Sequence, residues 1–222
     1  MSQQLRTEEL IQELAENLEP VRPIPPLRQV LVAILALWAA VACLGLLVLG
    51  TRPDLLDLVL AWRGAGAVFA GLGLAGLGGL IAALALAVPG REATVRAGLA
   101  LGLVGMALAA GAGTLMLLRS PVVGEHAPLS GDLRCLGVAC GVAFLPALAV
   151  VSLGGRAAPL RPLFLAWAAA AGTAALGAVV AQASCPFSDP QHIMWAHILA
   201  PGVGAVLLTL PLLWVLRRVV RR

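Results

Sequence analysis

Cysteine and histidine are the residue types in this 222-residue chain with chemistry to offer beyond packing, and they are unevenly placed. Cys135 opens one long apolar stretch; Cys185 lies just ahead of another, followed by His192 and His197. Two thiols can close a reversible disulfide in an oxidising compartment such as the bacterial periplasm. Two thiols with one or two imidazoles can instead hold a soft metal such as zinc. They can also be inert, as a structural disulfide or as two unrelated thiols. Arg134, beside Cys135, favours a reactive thiolate there. Spacing says little for metal: there is no Cys-x-x-Cys, and His192 and His197 are five apart, about 140° around an ideal helix. The three readings stay open on spacing alone. Around Cys185, Pro186 and Pro190 stiffen the chain, Asp189 can cap the coming helix, and Trp195 can anchor its outer end. Asp132, Glu125 and His126 belong to the same group of loops.

The elements that must position these residues are membrane helices. Apolar residues make up 60% of the chain and charged ones 12%, with a mean hydropathy of +0.97; water-soluble domains carry about 25% charge. A cytosolic globular enzyme is excluded. All the basic residues are Arg. Six stretches lack charge for long enough to cross a bilayer, at about 20 residues per crossing: residues 30–50, 64–88, 97–118, 135–153, 163–183 and 193–216. Strand alternation is absent, and a lipid-spanning backbone must then be helical. The expected fold is an all-α membrane protein, six helices in a bundle behind a short amphipathic N-terminal helix. Residues 55–62 are too short to span and read as an interfacial helical turn, with Trp62 at headgroup depth. With both termini inside, the cytoplasmic side holds eleven arginines and the outside only Arg52, Arg63, Arg119 and Arg134, which sets the orientation and a bacterial inner-membrane location. Cys135, Cys185, His192 and His197 then share the outer face. Cys43 and Cys140 fall inside spans, where a thiol packs as a small apolar residue. A cleaved signal peptide is not expected, since the first 27 residues are polar.

Ion carriers place ionisable groups within the bilayer, where they are costly and therefore functional; the middle of every span here has none. Thr114, Ser152, Thr173 and Thr209 can bond back to their own helices. Gly71/Ala75/Gly79 and Gly105/Ala109/Gly113 would let backbones approach closely. No phosphate loop, nucleotide fingerprint or Ser/His/Asp spacing is present, so no catalytic residue and no direct contact with nucleic acid are expected.

Residues 1–27 form a different unit from the spans of 28–222. They carry a net charge of −3 against +7 for the remainder. Thr7 can cap a helix with Glu8 and Glu9 in its first turn. Leu10, Ile11, Leu14 and Leu18 follow on one face at helical spacing, and Pro20 to Pro26 make a stiff spacer. A lone helix of about 13 residues is marginal in water, and an acidic one suits a membrane surface poorly. A protein partner with a basic surface, taking the helix in a groove, fits better. Arg217 to Arg222 read as a stop-transfer anchor on anionic lipid.

Leu10-Ile11-Gln12-Glu13-Leu14, the spacer Val21–Pro26, six spans, a cysteine opening span four and Cys185-Pro186 before span six resemble the NrsF-like family of bacterial inner-membrane anti-sigma factors. The resemblance covers essentially the whole chain. It implies that the N-terminal segment sequesters an extracytoplasmic-function (ECF) sigma factor. It also implies that Cys135 and Cys185 sense oxidative or heavy-metal stress and trigger release, with no catalytic activity. A soft metal at Cys135, Cys185, His192 and His197 is the associated cofactor, if any. The competing class is a membrane thiol-disulfide oxidoreductase acting on periplasmic partners; a small permease is the third.

Overall fold

The computed structural model describes residues 2–16, 25–60, 64–120, 128–157 and 159–220. Leu18, Pro20, Trp62, Arg63, Glu125, His126, Arg221 and Arg222 lie outside these, as does the spacer from Val21 to Ile24. Helix α1 covers Ser2–Glu16, α2 Leu27–Leu49, the short α3 Leu55–Leu60, α4 Ala65–Leu86, α5 Glu92–Arg119, α6 Leu129–Gly155 and α7 Pro162–Ser184. A single turn, α8, at Pro190–His192 leads into a π-helical stretch, Ile193–Leu199, and α9 runs from Ala200 to Val220. Strands are absent among the described residues. Six of these helices are long and apolar enough to cross a membrane, counting Pro190–Val220 as one. Helices α5, α6 and α9 extend beyond their uncharged stretches, because a helix can carry a charge in its end turns, whereas α4 stays within residues 64–88. Thus α6 starts at Leu129, and Cys135 sits in its second turn rather than at its start.

The helix α1 also begins earlier than the Thr7 cap expects, at Ser2. Gln3, Gln4, Leu5 and Arg6 are all good helix formers, so the Ser2–Glu16 helix takes Thr7 into its interior. The short α3 stands where the interfacial turn was expected.

The spans pack by close backbone approach. A Cβ added at Gly71 would lie 2.6 Å from the Gly105 carbonyl, and one at Gly98 would lie 2.8 Å from the Gly78 carbonyl. The pairing of early α4 with late α5, and late α4 with early α5, makes the two helices antiparallel. Gly172 of α7 meets Gly79 and Gly76 of α4 in the same way, and Gly177 lies against the Ala139 carbonyl of α6. With little hydrophobic drive between helices in lipid, such contacts supply the van der Waals energy of association. At Gly71, Gly79 and Gly105 the four-residue spacing is therefore packing, whereas Gly73 and Gly111 meet nothing within 4 Å. Thr114, Thr173 and Thr209 each donate to the carbonyl four residues back, at 2.8, 2.7 and 2.7 Å. Outward faces carry large apolar side chains, Leu47, Leu103 and Leu210 among them, a surface suited to hydrocarbon.

The most buried of the six is α7, with α4, α6 and α9 around it. Around its first half Leu80, Val150, Leu165, Leu212 and Leu216 form the larger core. Around its second half Val68, Leu72, Ala109, Ile193 and Ile198 form another, which also contains Cys135 and Cys185. By contrast α2 buries only Ile34 and Ala42.

Gly78→Leu is expected to lower the thermal midpoint of the detergent-solubilised chain, because a side chain there must push α5 away, costing about 1–3 kcal/mol. Gly73, with nothing within 4 Å of an added Cβ, should accept Leu within about 0.5 kcal/mol. Equal midpoints for the two variants would refute the close α4–α5 contact.

Candidate metal and thiol centre

The centre is assembled by three segments that meet at one end of the bundle. Cys135 comes from α6. Cys185 ends α7, where the backbone turns extended (φ −81°, ψ 125°) ahead of Pro186. His192 is set by the cap foreseen in the sequence: Asp189 Oδ1 accepts the His192 backbone N–H at 2.8 Å, with Pro190 at the first helical position. His197 follows on the π-helical stretch.

The two sulfurs are 3.4 Å apart. His192 Nε2 lies 3.1 Å from Cys185 Sγ and 3.6 Å from Cys135 Sγ. Its Nδ1 donates to Asp132 Oδ1 at 2.6 Å. An ionised carboxylate accepts only, so Nδ1 holds the proton and Nε2 is turned to the sulfurs, the arrangement by which an outer carboxylate orients a metal-binding imidazole. The His197 ring meets that of His192 edge-on, centroids 5.1 Å apart. Phe187 lies 5.2 Å from His192 on another side. Both thiols and both imidazoles are buried.

One donor atom from each of Cys135, Cys185, His192 and His197 lies within 4.8 Å of the others. Zinc bonds of about 2.3 Å to sulfur and 2.0–2.1 Å to nitrogen put tetrahedral donors about 3.3–3.8 Å apart, and the three separations above, 3.1 to 3.6 Å, come close to that. Moreover, neither ring nitrogen of the fully buried His197 has a hydrogen-bond partner. A buried polar group without a partner costs free energy, and a metal beside it would remove that cost. Two soft sulfurs and two imidazoles suit zinc, cadmium or cuprous copper.

Two sequence expectations change here. Five-residue spacing puts His192 and His197 on different sides of an α-helix; π-helical hydrogen bonding runs from i to i+5 and brings residues five apart to the same side. Pro201 supplies the local cause. It lacks the N–H that would bond the His197 carbonyl, and its ring crowds that carbonyl in an α-helix; the wider turn just ahead relieves both. Second, thiolate character falls on Cys185 rather than on Cys135 beside Arg134, whose side chain is exposed. The Cys135 thiol donates to Cys185 and, with the His192 imidazole, holds Cys185 far below the ordinary thiol range in spite of its burial.

Two further residues escaped sequence reading. Asp132 had a place in the loops but no role, and it proves to be the partner of His192. Arg52, one of the four arginines placed outside, is buried: its guanidinium donates to both Asp54 carboxylate oxygens (2.7 and 2.8 Å) and to Ser188 Oγ (2.6 Å). Asp54 raises the Arg52 pKa against the effect of burial, and Arg52 lowers that of Asp54. Their spacing, Arg52-Pro53-Asp54, was the available signal. Cys43 is exposed and Cys140 half-buried; the latter packs near Gly204 of α9, and neither joins the cluster.

The family described as negative regulator of sigma F matches residues 14–221. The chain belongs to this NrsF family. The NrsF match takes in Leu14 and all four cluster residues, while Leu10 and Ile11 precede it. No curated protein and no solved structure matches the chain. Within the NrsF span, the cysteine and histidine cluster is the feature with chemistry to offer, and the exposed stripe of α1 is the feature with a surface to offer. Leu10, Ile11 and Leu14 are 55%, 60% and 60% exposed. Leu18 is outside the described residues.

Proposed function

We propose that the chain is a bacterial inner-membrane anti-sigma factor. It holds an ECF sigma factor through Leu10, Ile11, Leu14 and Leu18, and releases it when Cys135 and Cys185 are oxidised or capture a soft metal. Family membership supports negative regulation of a sigma factor. The arginine excess supports cytoplasmic termini and a periplasmic cluster. The observation that carries the sensing role is the convergence of Cys135, Cys185, His192 and His197, fifty residues and more apart in part, into one buried site.

Either signal is chemically direct. In oxidation two electrons pass to an oxidant, the sulfur-bound proton leaves, and the sulfurs close from 3.4 Å to about 2.05 Å. In metal capture Cys135 gives up its proton and Cys185 and the imidazoles supply lone pairs. Both favour one arrangement of α6, α7 and the 190–199 segment over another, which is the differential interaction a switch requires. The burial of both thiols speaks against exchange with a partner's disulfide, which must reach a sulfur in line, and so against the oxidoreductase reading.

The test is co-purification of the full chain with a candidate ECF sigma factor, from membranes treated with a thiol oxidant or with cadmium. The sigma factor should be retained without treatment and lost on treatment. Cys135→Ser and Cys185→Ser should retain it in both conditions. Retention by the unaltered chain after its thiols are shown to be modified defeats the reading.

A further inference from the structure

The cluster lies at one end of α2, and the N-terminal segment is attached to the other. The covalent route from one to the other runs through α2, and α2 is the least embedded span, with two buried residues in twenty-three. Half-buried side chains such as Val30, Leu35 and Trp38 rest on the core, but with so few fully buried ones the helix also takes its position from what fixes its ends. At the cluster end Gly50, in the left-handed region (φ 81°), bonds its N–H to the Leu46 carbonyl and closes the helix. Two residues on stands Arg52.

Arg52 grips the segment carrying Cys185 from both sides. Its backbone N–H donates to the Ala183 carbonyl at 3.0 Å, two residues before the cysteine. Its guanidinium donates to Ser188 Oγ at 2.6 Å, three residues after it. Asp54 fixes the guanidinium plane through paired bonds to Nε and Nη2. The Arg52 side chain is 5% exposed against 51% for Asp54, so the ion pair is anchored on its arginine side. A planar donor fork of this kind holds direction as well as distance.

We propose that Arg52 is the coupling residue of this protein: by bridging Ala183 and Ser188 across Cys185, it delivers a change at the thiol cluster to α2 and so to the N-terminal segment. It is a positioning residue and touches neither sulfur in this role. The reasoning about release rests on the function proposed above; the mechanical link from cluster to α2 does not.

The experiment keeps the two apart. The full chain in nanodiscs carries a fluorescent non-natural amino acid in place of Gln29, an exposed residue of the first turn of α2. The Cys135–Cys185 pair is closed with a thiol oxidant, and its closure is measured by mass. In the parent chain, emission at position 29 should shift on closure, and sigma-factor affinity should fall about tenfold or more, within the usual range of coupling between sites. In Arg52→Met, which keeps the length and the backbone bond to Ala183 but removes the guanidinium bonds to Asp54 and Ser188, the disulfide should still close, while most of both changes is lost. Ser188→Ala, a smaller cut in the same bridge, should reduce both in part, which covers the case of Arg52→Met failing to reach the membrane. A position-29 shift that survives intact in Arg52→Met and Ser188→Ala, or that is missing in the parent chain after closure, overturns the inference. A shift that depends on Arg52, with sigma-factor affinity unchanged throughout, upholds the link and defeats the proposed function instead.

Discussion

Replacing Leu10 and Leu14 together by Glu is expected to free the sigma factor without any stress. On α1 the two are one turn apart, flanked by Ile11, and all three are more than half exposed, so among the described residues nothing covers the stripe. Burying a leucine side chain is worth about 1.5–3 kcal/mol; two lost on binding amount to roughly 3–6 kcal/mol, or about 10²–10⁴-fold in affinity. Glutamate makes the loss larger, since a carboxylate buried in an apolar groove without a partner is costly. Gln12, on the opposite face and bonded to Glu16 at 3.4 Å, offers the control: Gln12→Glu adds one negative charge, as either leucine change alone does, to the same helix and should change affinity little. The readouts are titration of the sigma factor against membranes bearing each variant, and transcription from a sigma-dependent promoter in unstressed cells. A promoter silent in the double variant would show that the stripe is not the contact.

Legibility in the sequence divided along a physical line. Features set by residues near one another in the chain were readable. The six spans follow from uncharged runs, the short α3 from a run too brief to cross, the Asp189 cap from its place before Pro190, and the threonine back-bonds from the lack of any other acceptor nearby. Features set by the meeting of distant segments were not. Asp132 and His192 are sixty residues apart, and Arg52 and Ser188 more than twice that; no spacing rule connects them. The histidine pair is an intermediate case. Its geometry hinges on one slipped helical turn, and Pro201, four residues beyond His197, was a sign that a regular α-helix could not continue there unchanged. The glycines stand in the same position: their four-residue spacing is visible in the sequence, but only the facing helix decides that Gly78 is closed to a side chain while Gly73 is open.

The second large effect concerns metal affinity. The purified full chain in detergent is expected to bind one zinc or cadmium ion with all four cluster residues present. Sites of four such ligands reach about 10–16 kcal/mol of apparent binding energy at neutral pH, so an even share per ligand is roughly 2.5–4 kcal/mol. Cys185→Ser should therefore weaken binding about 10²–10³-fold, and His197→Ala should weaken it comparably if its unpartnered ring is the fourth ligand. Asp132→Asn leaves every ligand in place but replaces the charged carboxylate that holds the His192 proton on Nδ1 with a neutral, weaker acceptor. Its cost should be the smaller one of an outer partner, about 10–100-fold. Cys43→Ser, at an exposed thiol away from the cluster, should have no effect. The order of the four variants is more telling than any single value. A merely apolar pocket with two thiols would lose affinity with Cys185→Ser and be indifferent to Asp132→Asn and His197→Ala, whereas a tetrahedral site oriented by a carboxylate must feel all three. Competition with a chromophoric chelator measures each constant, and equal affinities for the parent chain, Asp132→Asn and His197→Ala would reduce the cluster to a pair of thiols.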